Sequence, residues 1–84
     1  MKIPINRTIQ VFWHDHTSND GWATLDEIKT TAESWYDSLC NTTGTCIVRT
    51  NKYIVIAGEY DGEDNYSNYT LILRNDIDHI KIFK

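Results

Sequence analysis

The feature that most constrains this chain is the run Tyr53-Ile54-Val55-Ile56-Ala57, a β-forming segment that is apolar on both of its alternating faces. Such a strand must be covered above and below, so it reads as the core of the fold and as the central strand of a closed or covered sheet. The chain that must supply this cover has only 84 residues, enough for one domain. Three Trp, five Tyr and two Phe provide large side chains for the task, each able to bury about 150–250 Å². That supply also leaves aromatics over for a surface, where they favour contact with a partner or another copy.

Other strands are read around this one. Thr8 to His14 places Ile9, Val11 and Trp13 on one face and Gln10, Phe12 and His14 on the other. Cys46 to Thr50 precedes the central run, and Asn51-Lys52 between them has the length of a tight hairpin turn. Tyr69 to Leu73 and Ile77 to Phe83 follow, separated by Asn75-Asp76. The segments Asp15 to Gly21, Asn41 to Gly44 and Glu59 to Asn68 are rich in residues that bend or solvate the backbone and read as connectors.

One helix is expected. Thr24 and Glu27 have the spacing of a capping box, Asp26 places negative charge at the positive end of the helix dipole, and Leu25, Ile28, Ala32, Trp35 and Leu39 form an apolar stripe. The order β-α-β-β-β-β predicts an α+β fold: a five-stranded antiparallel sheet or an SH3-like or Sm-like small barrel, with the helix packed on it. Residues 1–84 form one domain in this reading. Trp35 is assigned to the core and Tyr36 to its margin, while Trp22 either staples the start of the helix to the core or, if exposed, anchors a contact patch with the Asp15 to Asp20 loop.

Composition narrows the functional classes. A net charge of −4 and eight scattered basic residues disfavour a nucleic-acid partner. No apolar stretch approaches the ~20 residues of a membrane span. Cys40 and Cys46 flank five residues, close enough in sequence for a loop-closing bridge, but a chain without secretory marks favours reduced thiols. With His14 and His16 these cysteines make four nominal zinc ligands, yet Cys-x5-Cys departs from zinc-site spacing, and the thiols read better as small apolar groups. Asp61, Glu63 and Asn65 alternate like calcium ligands, but Gly62 is misplaced for such a loop and no closing Glu follows. Asp15 with His16, or Asp20 with His14, can be drawn as acid–base pairs, but no nucleophile motif accompanies them. No cofactor, metal or catalytic activity is expected.

Several scattered positions have a familiar pattern: Trp13-His14-Asp15, Ser18, Gly21-Trp22, Glu27, Gly44, Tyr53 to Ala57, Ile77 and Ile80. In these the chain resembles a loosely related group of short phage-encoded proteins, from which it departs at His16 and in the polar insert from Glu63 to Asn68. The resemblance implies a phage accessory protein acting in the cytoplasm of the infected bacterial host, of the kind that blunts host defences by binding them.

The expected function is therefore inhibition of a host defence protein by docking, without chemistry. Trp22, Asp15, His16, Asp20, Tyr36, Asp61 and Tyr66 are the expected contact residues. The alternative is an oligomeric sponge for a small nucleotide signal, with aromatics stacking on bases and Arg7, Arg49 or Arg74 meeting phosphates. Small-barrel nucleic-acid binding and a structural role in the virion are further classes. Unless the barrel closes, strands Thr8 to His14 and Ile77 to Phe83 leave a sheet edge that a second copy would cover, so a homodimer or higher oligomer is expected.

Overall fold

The computed structural model describes residues 2–15 and 21–83. Its elements are β1 (Thr8–Trp13), α1 (Leu25–Asp37), β2 (Cys40–Arg49), β3 (Tyr53–Tyr60), β4 (Tyr66–Leu73), a short 3-10 turn (Arg74–Asp76) and β5 (Ile77–Ile82). The five strands form one antiparallel sheet in the order β4-β3-β2-β1-β5. The sheet is open, with β4 and β5 as its edges.

The strand that organises the sheet is β2. Its first half, Cys40 to Thr45, pairs with β1, and its second half, from Thr45 onward, pairs with β3. The expected connector at Asn41 to Gly44 is thus strand. Turn-forming residues accept extended geometry here because Thr42, Thr43 and Gly44 lie opposite Val11, Gln10 and Ile9. Their polar groups find partners across the ladder: Gln10 Nε2 donates to Asn41 Oδ1 at 2.8 Å and Trp13 Nε1 to Thr42 Oγ1 at 3.0 Å. A Cβ on Gly44 would lie 2.5 Å from the Ala57 carbonyl oxygen and 2.8 Å from Ile56 Cγ2. Only glycine lets β2 and β3 approach this closely.

The core face carries Ile9, Val11, Cys46, Ile54, Ile56 and Ile72, all essentially inaccessible, and Ile3 from the N-terminal segment joins them. Arg49 holds that segment in place by donating from one guanidinium nitrogen to the Ile3 carbonyl oxygen at 2.6 Å. The run Tyr53 to Ala57 is interior, paired with β2 on one side and β4 on the other, but the middle strand of five is β2.

The turn between β2 and β3 has neither Asn51 nor Lys52 at positive φ. Thr50 builds it instead, its hydroxyl accepting from the backbone N–H groups of Lys52 and Tyr53. Half of the polar stretch Glu59 to Asn68 is strand, Glu59 and Tyr60 in β3 and Tyr66 to Asn68 in β4. Its loop is only Asp61 to Asn65, where Gly62 takes the left-handed conformation at φ 87°.

Helix α1 starts where the sequence predicts. Thr24 is its N-cap and accepts from the Glu27 backbone N–H at 3.2 Å, while the Thr24 hydroxyl donates to the Glu27 carboxylate at 3.0 Å. Its packing differs from expectation, since no residue of the helix is buried. Trp35 is 40 % exposed and is not core, and Trp22 is fully exposed and staples nothing. One contact between the helix and the rest of the protein is made by Tyr36, whose ring stacks on His14 with centroids 5.4 Å apart. Among the described residues, no helix is long and apolar enough to cross a membrane.

Candidate functional site

The residues expected to form one contact surface divide between two places. Asp61 and Tyr66 come together at the β3–β4 hairpin. Asp15, Trp22 and Tyr36 are exposed near α1 and the end of β1. His16, Asp20 and Ser18 lie outside the described residues.

The hairpin is the more organised of the two. Tyr60 and Tyr66 are cross-strand partners in the ladder, and their rings stack with centroids 4.8 Å apart and planes 16° from parallel. Such a pair contributes about 0.5–1.5 kcal/mol beyond its buried area. Immediately beyond it, the Asp61 carboxylate accepts from the backbone N–H groups of Glu63 at 2.7 Å and Asn65 at 3.2 Å, and from Asn65 Nδ2 at 2.9 Å. The Asp61 N–H closes the loop on the Asn65 carbonyl at 3.1 Å. These donors hold the Asp61 carboxyl below its ordinary pKa, the Glu63 N–H foremost. The alternation Asp61-Glu63-Asn65 therefore builds a turn around Asp61, whose oxygens are occupied by protein donors.

Electrostatically the tip is one-signed. Between Lys52 and Arg74 there is no basic residue, whereas Glu59, Asp61, Glu63 and Asp64 are all acidic. The tip's environment is felt at Tyr66, whose phenol is pushed up by desolvation first and then by Tyr60, Asp64 and Asp61. Asn68 Nδ2 donates to the Glu59 carboxylate across the hairpin. A groove of about 510 Å³ runs below the rings, lined in part by Ile47, Ala57, Gly58 and Glu59. Tyr60 has no place among the residues expected from sequence. Its spacing from Tyr66 across a turn-rich, acidic segment was the available signal, obscured by reading the whole of Glu59 to Asn68 as loop.

A second feature is basic. Lys2, Arg49 and Arg74 line a shallow pocket of about 290 Å³ with Thr50 and Asn51. Arg49 donates to the Ile3 carbonyl, and Arg74 Nη1 to the Thr50 carbonyl at 3.2 Å. Two of the three arginines named for phosphate contact are thus neighbours. Arg7 is elsewhere, donating to the Phe83 carbonyl at 3.3 Å.

The cysteines are free, Cys46 in the core and Cys40 at the start of the same strand. Six residues of strand place them about 20 Å apart along the chain, too far for a bridge. Burial pushes the Cys46 thiol up, against the lowering influence of Arg49 and Arg74. His14 and His79 both approach Asp78, at 3.9 Å and 2.6 Å, and the described residues contain no group of three or more His, Cys, Asp or Glu able to hold a metal ion.

Comparison with family models, with curated proteins and with solved structures finds no match to this chain.

Proposed function

We propose that the protein is a non-catalytic accessory inhibitor of phage origin that docks on a host defence protein in the host cytoplasm through the tip of the β3–β4 hairpin. The observation that carries this reading is the stacked Tyr60–Tyr66 pair set among four carboxylates on a loop pre-ordered by Asp61. Tyrosine faces with adjacent carboxylates suit Arg and Lys side chains, by cation–π contact and charge-assisted hydrogen bonds. A loop already ordered loses little entropy when it binds. The partner is accordingly a protein presenting a basic surface, and the charge match accelerates encounter. The phage origin and the host target rest on the sequence resemblance described above.

The test is co-purification from infected cells with the tagged wild-type protein and with Tyr66→Ala at equal expression. The reading requires a host protein that wild type retains and that Tyr66→Ala binds at least about tenfold more weakly. Retention of no host protein, or retention indifferent to Tyr66, removes it.

The pairing of Arg49 with Arg74 beside Lys2 favours a second reading, sequestration of a small nucleotide whose phosphate sits in that pocket. Here the protein alone would gain mass in native mass spectrometry with a cyclic nucleotide, and Arg49→Ala would lose that gain.

A further inference from the structure

The run Tyr53 to Ala57 is apolar on both faces, and the chain encloses them unequally: on the outer face Ala57 is buried and Tyr53 and Val55 are half-buried, but their partners on β4 are open. Ile54 and Ile72 are paired on the core face. Alternation therefore puts the neighbouring pairs Tyr53–Leu73 and Val55–Leu71 on the opposite face, where Leu71 is 54 % and Leu73 44 % exposed, with Val48 and Tyr69 also open. None of these residues is charged. Meanwhile α1 leaves Leu25, Ile28 and Trp35 exposed, and Leu39 just beyond its C-cap. A helix stripe and a sheet face are the two surfaces that α+β folds lay on each other. This chain has one of each and does not stack them.

The cost of that separation is visible in the dimensions. The radius of gyration is 15.7 Å and the extents are 51 × 24 × 21 Å, where a compact chain of this length has a radius of about 12 Å. The accessible surface is 6555 Å², against about 5,200 Å² for a compact monomer of this mass. The excess of about 1,400 Å² matches one partner's share of an obligate dimer interface.

We propose that a second copy of this chain supplies the missing cover: α1 of one protomer lies on the outer face of β2, β3 and β4 of its partner, reciprocally about a two-fold axis. A second copy is the occupant that satisfies both surfaces at once. The rotation that brings one helix onto the partner's sheet brings the partner's helix onto the first sheet, so the contact closes with two copies. The arrangement is independent of the partner bound by the hairpin tip.

Sedimentation of the full-length protein tests this with two variants whose substitutions fall on exposed side chains, Ile28→Glu and Leu71→Lys. Wild type should sediment at twice 9.8 kDa, and each variant alone as a monomer with its β signal in circular dichroism unchanged. An equimolar mixture of the two should recover the two-copy mass, because the intact helix of the Leu71→Lys chain can seat on the intact sheet of the Ile28→Glu chain. Its dissociation constant should exceed that of wild type by about 100-fold or less. A variant that failed to fold could not rescue the other, so rescue also reports folding. Wild type that stays at 9.8 kDa overturns the proposal. So does a variant that remains dimeric alone, or a mixture of two folded variants that does not associate. Survival of the dimer in Leu71→Lys alone would instead mean helix-to-helix pairing, and survival in both would mean pairing through sheet edges.

Discussion

Gly44 is the residue on which the close approach of β2 to β3 depends. Gly44→Ala should lower stability by about 1–3 kcal/mol, because the new methyl meets backbone at Ala57 and cannot be relieved by a side-chain rotation. Urea unfolding checks this, with a lower midpoint and an unchanged slope expected. Asp61 governs the tip through its ionisation. Its folded pKa is depressed below 3.8, so the order it confers is present above that value and fades as pH falls through the lower folded pKa. The Glu63 and Asn65 amide resonances should therefore shift below pH 3.8 in wild type and show no such step in Asp61→Ala. The two thiols should separate by reactivity. Cys40, half-buried, should label in the native protein, and Cys46, buried with its thiol pKa raised, only after unfolding. At this scale Asp61 and Tyr66 stood out in the sequence as acid and aromatic side chains in a turn-rich segment, and the structure brings them together at the hairpin tip. Tyr60 and Gly44 did not stand out, since their importance comes from what lies across the ladder.

Among the elements, α1 is legible at its start and misleading in its environment. The Thr24 cap and the 3.6-residue stripe are local properties, and they locate the helix start correctly. What the stripe faces is not local, and within one chain it faces solvent. A helix of 13 residues is marginal on its own in water, so its persistence depends on whatever covers it. Hydrogen exchange should accordingly show amide protection over Leu25–Asp37 that falls as the protein is diluted, while protection of β1, β2 and β3 holds. Protection of the helix equal at all concentrations would mean that it needs no second copy. The β2 strand shows the opposite case. Asn41 to Gly44 has the composition of a loop, and pairing with β1 overrides that preference because backbone groups in the middle of a sheet must be satisfied. Likewise the polar ends of β3 and β4 are drawn into the ladder by the pairing that begins at Tyr53 and Leu73.

For the whole molecule, the uneven distribution of apolar surface is the main result: one sheet face is largely enclosed, while the β4 side of the other face and the helix stripe are left open. The order of elements, the antiparallel sheet, the single helix and the apolar strands that form the core were all determined by the sequence alone. These depend on periodicity, capping and short-range turn chemistry, each contained within a few neighbouring residues. Strand order, the shared strand β2, the gathering of Tyr60, Tyr66 and Asp61, the neighbouring Arg49 and Arg74, and the separation of α1 from the sheet were decided only by the tertiary structure. Each of them brings together residues distant in the chain, and such contacts depend on which surfaces find cover, a condition that no local pattern encodes.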